Sequence, residues 1–263
     1  MTSPQQRTVI RITDQTLIFA RKNADTRTGV DIETYIPKGG ISMAAHLREA
    51  LPEIGMLDGN RGRVLVLIES PAMPVPIEEY DETAKEEIYC HSFDLMKNHE
   101  VMHSVIPELK CAVLFQVSKD LRLVLGDNFP QVSIMPLMQP LWAYLYRRSQ
   151  NGLWRKLYAY FHEKRMELFC YDKSRFRFCN QFDARHTADN VFYTLYAWQQ
   201  MGLNSERDEL HLLGSDAKLA EMGAQLKPYI QKVAVVDAAT ALGPSPVCTE
   251  KQLPIDLMPL FID

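Results

Sequence analysis

Residues 156–182, KLYAYFHEKRMELFCYDKSRFRFCNQF, read as a three-stranded meander with strands at 156–162, 166–171 and 176–182. With its second turn on Lys173-Ser174, the meander stacks Phe169, Tyr171, Phe176 and Phe178 on one face as cross-strand aromatic pairs. Thr187 then caps a helix with Asp189 in its first turn. Val191, Leu195 and Trp198 share one stripe of that helix, with Phe192 and Tyr196 beside it, and Gly202 closes its end. A strand follows at 209–213, then a helix with Leu219, Met222 and Leu226 inward, stopped by Pro228, then a strand at 232–236. From Trp154 to Val236 the order is therefore βββαβαβ. Tyr158, Tyr160, Phe192, Tyr193 and Trp198 are expected in the core.

The same order threads through residues 8–148, with an insertion after the fourth strand. TVIRIT and TLIFAR flank Asp14-Gln15, and a two-residue turn there pairs Ile12 with Leu17 and Ile10 with Phe19, four apolar side chains on one face. A third strand at 30–36 breaks at Pro37-Lys-Gly-Gly40. Ser42 caps a helix carrying Ala45, Leu47, Ala50 and Leu51, ended by Gly55 and Asp58-Gly59-Asn60. Residues 63–68, RVLVLI, suit a strand covered on both faces. Residues 70–80, SPAMPVPIEEY, cannot form a central strand, because three prolines remove donors and fix φ. A short acidic helix at 82–91, strands at 101–106 and 111–117, a helix at 119–125 and a strand at 131–135 follow. Pro140 opens a helix that ends at Arg147-Arg148, with Asn151-Gly152 as a stop signal. The expected domains are thus 1–150, with an insertion around 70–117, then 151–236, then a tail 237–263. The tail reads as a linker through Gly243-Pro-Ser-Pro246 to an apolar segment at 257–262, which either docks on its own domain or enters a partner's groove.

At 263 residues with 46% apolar and 24% charged content, the chain has the makeup of a soluble globular protein with one large domain or two ordinary ones. A net charge of −4 without a dense Lys/Arg stripe argues against nucleic acid or anionic membrane as partner. MTSPQQRTVIRI has no signal-peptide pattern and no apolar run nears the ~20 residues of a membrane span, so a cytoplasmic location is expected. The five cysteines show no CxxC and no zinc spacing. In the meander Cys170 should face Arg177 and Cys179 face Leu168, which leaves the two sulfurs too far apart to bond. All five are expected as thiols. No local signature of Ser/His/Asp or Cys/His catalysis is present, so no catalytic and no metal residue is assigned.

The duplicated βββαβαβ order is that of the ribonuclease-H-like layout. On TDQTLIFAR (13–21), RVLVLIES (63–70) with Val75-Pro76 beyond it, DNVFY (189–193) and LHLLGSD (210–216), the chain resembles an uncharacterised bacterial family of unknown function whose fold is similar to that of actin-like ATPases. The resemblance covers residues 8–236 and implies an α/β fold of two ribonuclease-H-like lobes with mixed sheets around a cleft. A similar layout occurs in cytoplasmic actin-like proteins of pilus assembly and type II secretion, which act as scaffolds.

Actin-like ATPases place an Asp and glycines in the first hairpin of each half, so that backbone N–H groups approach phosphate and the Asp organises Mg²⁺. The matching turns here are Thr13-Asp14-Gln15-Thr16 and His162-Glu163-Lys164-Arg165, neither with a glycine, and the Gly-Gly pair that approaches adenosine is matched by Gly214-Ser215. The cleft candidates implied are Asp14, Gln15, Thr16, Glu163, Lys164, Gly214 and Ser215. Each also has a plain structural role: Asp14 in its turn, Glu163-Lys164 at a charged hairpin tip, Gly214-Ser215 at a strand end before a helix N-terminus that favours anions. The expectation is a non-catalytic binding or scaffold protein with a protein partner. A nucleotide-binding switch using Mg·ATP is the alternative. A ribonuclease-H-like metal nuclease using Glu163, Asp189 and Asp216 is a third reading, without a carboxylate inside a cleft-facing strand or a basic surface.

Overall fold

Strand-forming runs dominate both halves, and the computed structural model, which describes residues 7–57, 62–150, 153–172, 175–214 and 218–262, pairs them into three sheets. The first half runs β1 (Thr8–Ile12), β2 (Leu17–Lys22), β3 (Val30–Tyr35), α1 (Met43–Ala50), β4 (Arg63–Ile68), β5 (Ala72–Pro76), α2 (Lys85–Cys90), β6 (His99–Ile106), β7 (Cys111–Ser118), α3 (Lys119–Asn128), β8 (Gln131–Pro136) and α4 (Gln139–Ser149). The second runs β9 (Lys156–His162), β10 (Arg165–Asp172), β11 (Arg175–Asp183), α5 (Thr187–Gln200), β12 (Glu209–Gly214), α6 (Lys218–Leu226), β13 (Lys232–Val236) and α7 (Ala238–Leu242). One sheet is ordered β3-β2-β1-β4-β8 and the other β11-β10-β9-β12-β13. In each, the first three strands are antiparallel and the last two run parallel to the first. This is the duplicated ribonuclease-H-like arrangement, two lobes with equivalent sheets.

Alternation decides which face each strand buries. Ile10, Ile12, Leu17 and Phe19 pack outward with Leu47 of α1 and Leu121 of α3, in the register expected for the first hairpin. Leu157, Ala159 and Leu168 pack outward under α5 and α6 with Trp198, Met222 and Leu226. The opposite faces share one interlobe core: Val9, Ile18, Leu65 and Leu67 from one sheet, Tyr158, Tyr160, Phe169 and Tyr171 from the other, and Leu141 and Trp142 of α4 between them. The insertion forms the third sheet, β5-β7-β6, around Tyr89, Val101 and Leu114. β5 lies at its edge, where Pro74 and Pro76 cost fewer ladder bonds than in a central strand.

Four local expectations are corrected. Cys170 pairs with Phe178 and Tyr171 with Phe176, so Arg177 is an extra residue and the bulge turns Phe178 to the outer face, away from Phe169, Tyr171 and Phe176. Cys179 then faces Phe169 rather than Leu168; all five cysteines are free. The Lys173-Ser174 turn lies outside the described residues, as do Asp58-Gly59-Asn60 and Asn151-Gly152. Thr187 is the first residue of α5 and not its cap, and the buried line is Asn190, Thr194, Ala197 and Trp198. Close packing on the sheet favours the short Asn190, Thr194 and Ala197 beside Trp198, leaving Phe192 (61% exposed) and Tyr196 (54%) in water, stacked on each other. Residues 238–242 of the expected linker are helical, with Asp237 capping through Thr240 N.

The tail docks on its own chain. Leu253, Leu257, Met258 and Phe261 are buried in the interlobe core.

Candidate functional site

The parallel and antiparallel registers put the two hairpins in matching places. Ile12 pairs with Ile68 in one lobe, and Phe161 with Gly214 in the other. By this count Thr13 corresponds to His162, Asp14 to Glu163 and Arg11 to Tyr160.

The first hairpin is closed locally by Thr13, whose N donates to the Thr16 carbonyl at 3.0 Å. Thr13 Oγ1 accepts from Gln15 N (3.3 Å) and Thr16 N (3.0 Å), and its single proton has two acceptors in reach, the Thr16 carbonyl at 3.2 Å within the turn and Glu163 Oε1 of the other lobe at 3.0 Å. Glu163 Oε1 accepts from Thr13 Oγ1 at 3.0 Å, from Thr16 Oγ1 at 2.8 Å and from Arg11 Nη1 at 2.8 Å. Glu163 reaches them from a left-handed backbone, φ +51°, and its side chain keeps only 18% of its surface exposed.

Beneath this contact lies a buried charged layer. The Arg11 side chain, 1% exposed, is held bidentate by Asp256, which is fully buried: Nε to Oδ1 at 3.0 Å and Nη2 to Oδ2 at 3.0 Å. Tyr160 donates to the same Oδ2 at 3.0 Å. Arg11 Nη2 also meets His162 Nδ1 at 3.2 Å. A guanidinium only donates, so Nδ1 is the acceptor and the ring proton of neutral His162 sits on Nε2, 3.5 Å from Glu167 Oε1. Gln181 Nε2 bridges Glu167 Oε1 (2.7 Å) and Glu69 Oε1 (3.3 Å), and Arg165 Nε donates to Glu69 Oε1 at 3.1 Å.

Burial opposes the Arg11 charge, but Asp256, Tyr160 and Glu163 outweigh it and raise its pKa above the ordinary value. Burial, reinforced by the Asp256 carboxylate, drives the Tyr160 phenol far upward. Burial also disfavours charge on His162, yet its hydrogen bond to Glu167 and that carboxylate's charge raise its pKa on balance. Burial raises Glu69 too, with Asp14 and Glu163 adding to it while His162 and Arg165 oppose.

Asp14, Glu69 and Glu163 each bring a carboxylate oxygen to within 4.8 Å of the others. Such an oxygen set suits a hard divalent cation, although Glu163 already accepts three hydrogen bonds. Beside it lies a cavity of ≈ 80 Å³ lined by Glu69, Ser70, Glu167, Gln181 and Trp142, among others. Ordinary small-molecule sites hold roughly 300–1,000 Å³.

Of the expected candidates, Asp14, Thr16 and Glu163 meet here. Gln15 contributes a backbone turn contact, and Lys164 is exposed at the tip, its carbonyl taken by Ala184 N at 2.8 Å. Gly214 has a packing reason: at φ +141° a Cβ would stand 2.7 Å from the Phe161 carbonyl. Ser215 and Asp216 lie outside the described residues, and Asp189, exposed on α5, stays out of the carboxylate group. Arg11, Glu69, His162, Glu167 and Asp256 were missed. Two sequence signals mark Arg11 and Asp256: a lone Arg in the apolar run TVIRI and a lone Asp in PIDLMPLFI, opposite charges with no local partner. Glu69 directly follows β4, the strand paired beside the first hairpin.

Two equivalent mixed-sheet lobes whose first hairpins meet at the cleft define a protein of the actin-like ATPase fold. The chain belongs to the family described as "Protein of unknown function (DUF3822)", whose model matches residues 1–233. Its structure is similar to that of a Bacteroides thetaiotaomicron VPI-5482 protein with actin-like ATPase fold and unknown function, at TM-score 0.83 and 23% identity over 98% of this chain and 95% of that one. It is also similar to a chain of the PilM-PilN type IV pilus biogenesis complex, at TM-score 0.59 and 11% identity over 98% of each chain. At these identities the likeness is one of fold. A comparison with curated proteins found no match.

Proposed function

We propose that this chain is a non-catalytic binding or scaffold protein whose actin-like cleft is closed by its own side chains. The observation that carries this reading is the Glu163 carboxylate. It occupies the donors of the opposite hairpin, Arg11 Nη1, Thr13 Oγ1 and Thr16 Oγ1, where an ATPase of this fold would present phosphate. Neither hairpin has a glycine to bring backbone N–H groups closer. On this reading 1–150 and 151–236 are the two lobes, 237–263 is their tail, the partner is a protein and the location cytoplasmic. That a protein of this fold occurs in a PilM-PilN complex supports a protein partner. No helix among the described residues is long and apolar enough to cross a membrane.

Thermal denaturation with and without Mg·ATP tests the reading. A ligand at 100 times its dissociation constant stabilises a fold by about 2.7 kcal/mol, so binding is visible as a shift. We expect none, and no phosphate release above background. Mg²⁺-dependent release that disappears in Asp14→Ala or Glu163→Ala overturns the proposal. The alternative, a nucleotide-binding switch, is favoured by one observation, the carboxylate trio within 4.8 Å. It requires that Mg²⁺ alone raise the melting temperature and that Asp14→Asn abolish the rise.

A further inference from the structure

Arg11 is shared between two masters. Its Nε and Nη2 hold Asp256 of the tail, while its Nη1 holds Glu163 of the opposite hairpin. The orientation that closes the cleft is therefore fixed by Asp256. Asp256 also takes the Tyr160 hydroxyl, so one fully buried carboxylate bonds matching positions of both lobes. Around it Leu253, Leu257, Met258 and Phe261 fill the interlobe core, and Glu250 takes a hydrogen bond from Thr28 at 3.1 Å.

The backbone of this segment is tied far more weakly than its side chains. It belongs to no sheet. Its described backbone–backbone bonds are local turns: Leu257 N to Pro254 O (3.0 Å), Met258 N to Pro254 O (3.3 Å), Leu260 N to Leu257 O (3.0 Å), Phe261 N to Met258 O (3.0 Å) and Ile262 N to Met258 O (3.2 Å). A segment without ladder bonds opens without breaking a sheet, and the cost of its opening is the exposure of its buried side chains. Undocking removes the two-point grip on the guanidinium and a large part of the interlobe packing together.

We infer that residues 253–262 are a releasable latch on the cleft, with Asp256 as the group that locks it. This rests on the closed-cleft reading and adds its regulation. Docked, the tail presents Arg11 to Glu163 and the hairpins stay joined. Released, it drops the two-point hold on Arg11, whose Nη1 can then leave Glu163, so that the hairpins stay joined only through the Thr13 and Thr16 hydroxyls and the cleft opens more readily.

Hydrogen exchange of the full-length protein tests the latch without any ligand. In the wild type, the amides of Leu257, Phe261 and Ile262 should open together with Thr13 N, Thr16 N and Glu69 N, as one unit that opens more readily than the core of β4. In Asp256→Asn, exchange at 13–16 and 162–165 should rise by about a hundredfold while β4 stays protected. Hairpins that exchange independently of the tail, or only on global unfolding, overturn the latch. The wild-type experiment decides the matter even if Asp256→Asn fails to fold. A wild-type melting shift with Mg·ATP, by contrast, would count against the non-catalytic reading and leave the tail–hairpin coupling to be judged on exchange alone.

Discussion

The two first hairpins share a backbone plan and carry opposite chemistry. In the first lobe the hairpin and the strand leading into it supply donors: Arg11, Thr13 and Thr16. In the second, the matching turn supplies an acceptor, Glu163, from a left-handed φ of +51° that Asp14 does not share. A duplicated fold gives two equal turns facing one another. Divergence of side chains has made them complementary, so they bind each other across the space a symmetric pair would offer to a ligand. The left-handed Glu163 costs about 1–2 kcal/mol of backbone strain, and three hydrogen bonds on one oxygen offset it.

The heaviest test of this asymmetry is Arg11→Met. It leaves Asp256 buried with only Tyr160 and removes one of three donors from Glu163. Breaking a buried pair from one side costs about 3–5 kcal/mol, a loss of roughly 6–20 °C in Tm for a chain this size. Gly214→Ala comes next. Its counterpart, Ile68, carries a buried side chain, whereas a Cβ at Gly214 would strike the Phe161 carbonyl at 2.7 Å. We expect about 1–3 kcal/mol. Gly202→Ala is the control, because its φ is +57° with nothing within 4 Å, so it bears the backbone cost alone. Equal losses in the two variants would mean that strand approach does not set the Gly214 requirement. Tyr160→Phe should be milder, about 1 kcal/mol, since Asp256 keeps Arg11. If urea melts show it as damaging as Arg11→Met, the lobes contribute equally to the Asp256 site and the asymmetry is wrong.

Local patterns made the scaffold legible. The Ile12–Leu17 register followed from a polar two-residue turn between apolar runs, and the repeated element order followed from strand and helix periods that each segment states for itself. The bulge at Arg177 was hidden because apolar residues continue through it on both sides. The buried line of α5 was hidden because Asn190 and Thr194 are polar; helix–sheet closeness, not hydropathy, selects them. The tail's apolar density said that it must be covered and left its cover open. The site itself was least legible: Arg11 and Asp256 are 245 residues apart, and no window contains both. Only the hairpin tips, fixed by the duplication, could be placed in advance.

Glu69 gives the smallest effect and the sharpest sign. Its side chain is only 8% exposed, Oε1 is held by Arg165 and Gln181, and Oε2 is buried with no partner. Burial, with Asp14 and Glu163 adding to it, raises its pKa above the ordinary 4.5. A carboxyl whose folded pKa is raised binds its proton more tightly in the folded state. Its contribution to stability is therefore full below the ordinary value and is lost as pH rises through the folded pKa. Glu69→Gln removes this titration, keeps an oxygen for Arg165 and Gln181, and puts an amide donor where Oε2 stood. The Tm of the variant minus that of the wild type should therefore climb from pH 4 to pH 7, by a slope set by one group. A flat difference for Glu69→Gln would mean that the carboxylate is not held against its charge, and the first lobe would then lose its electrical distinction from the second.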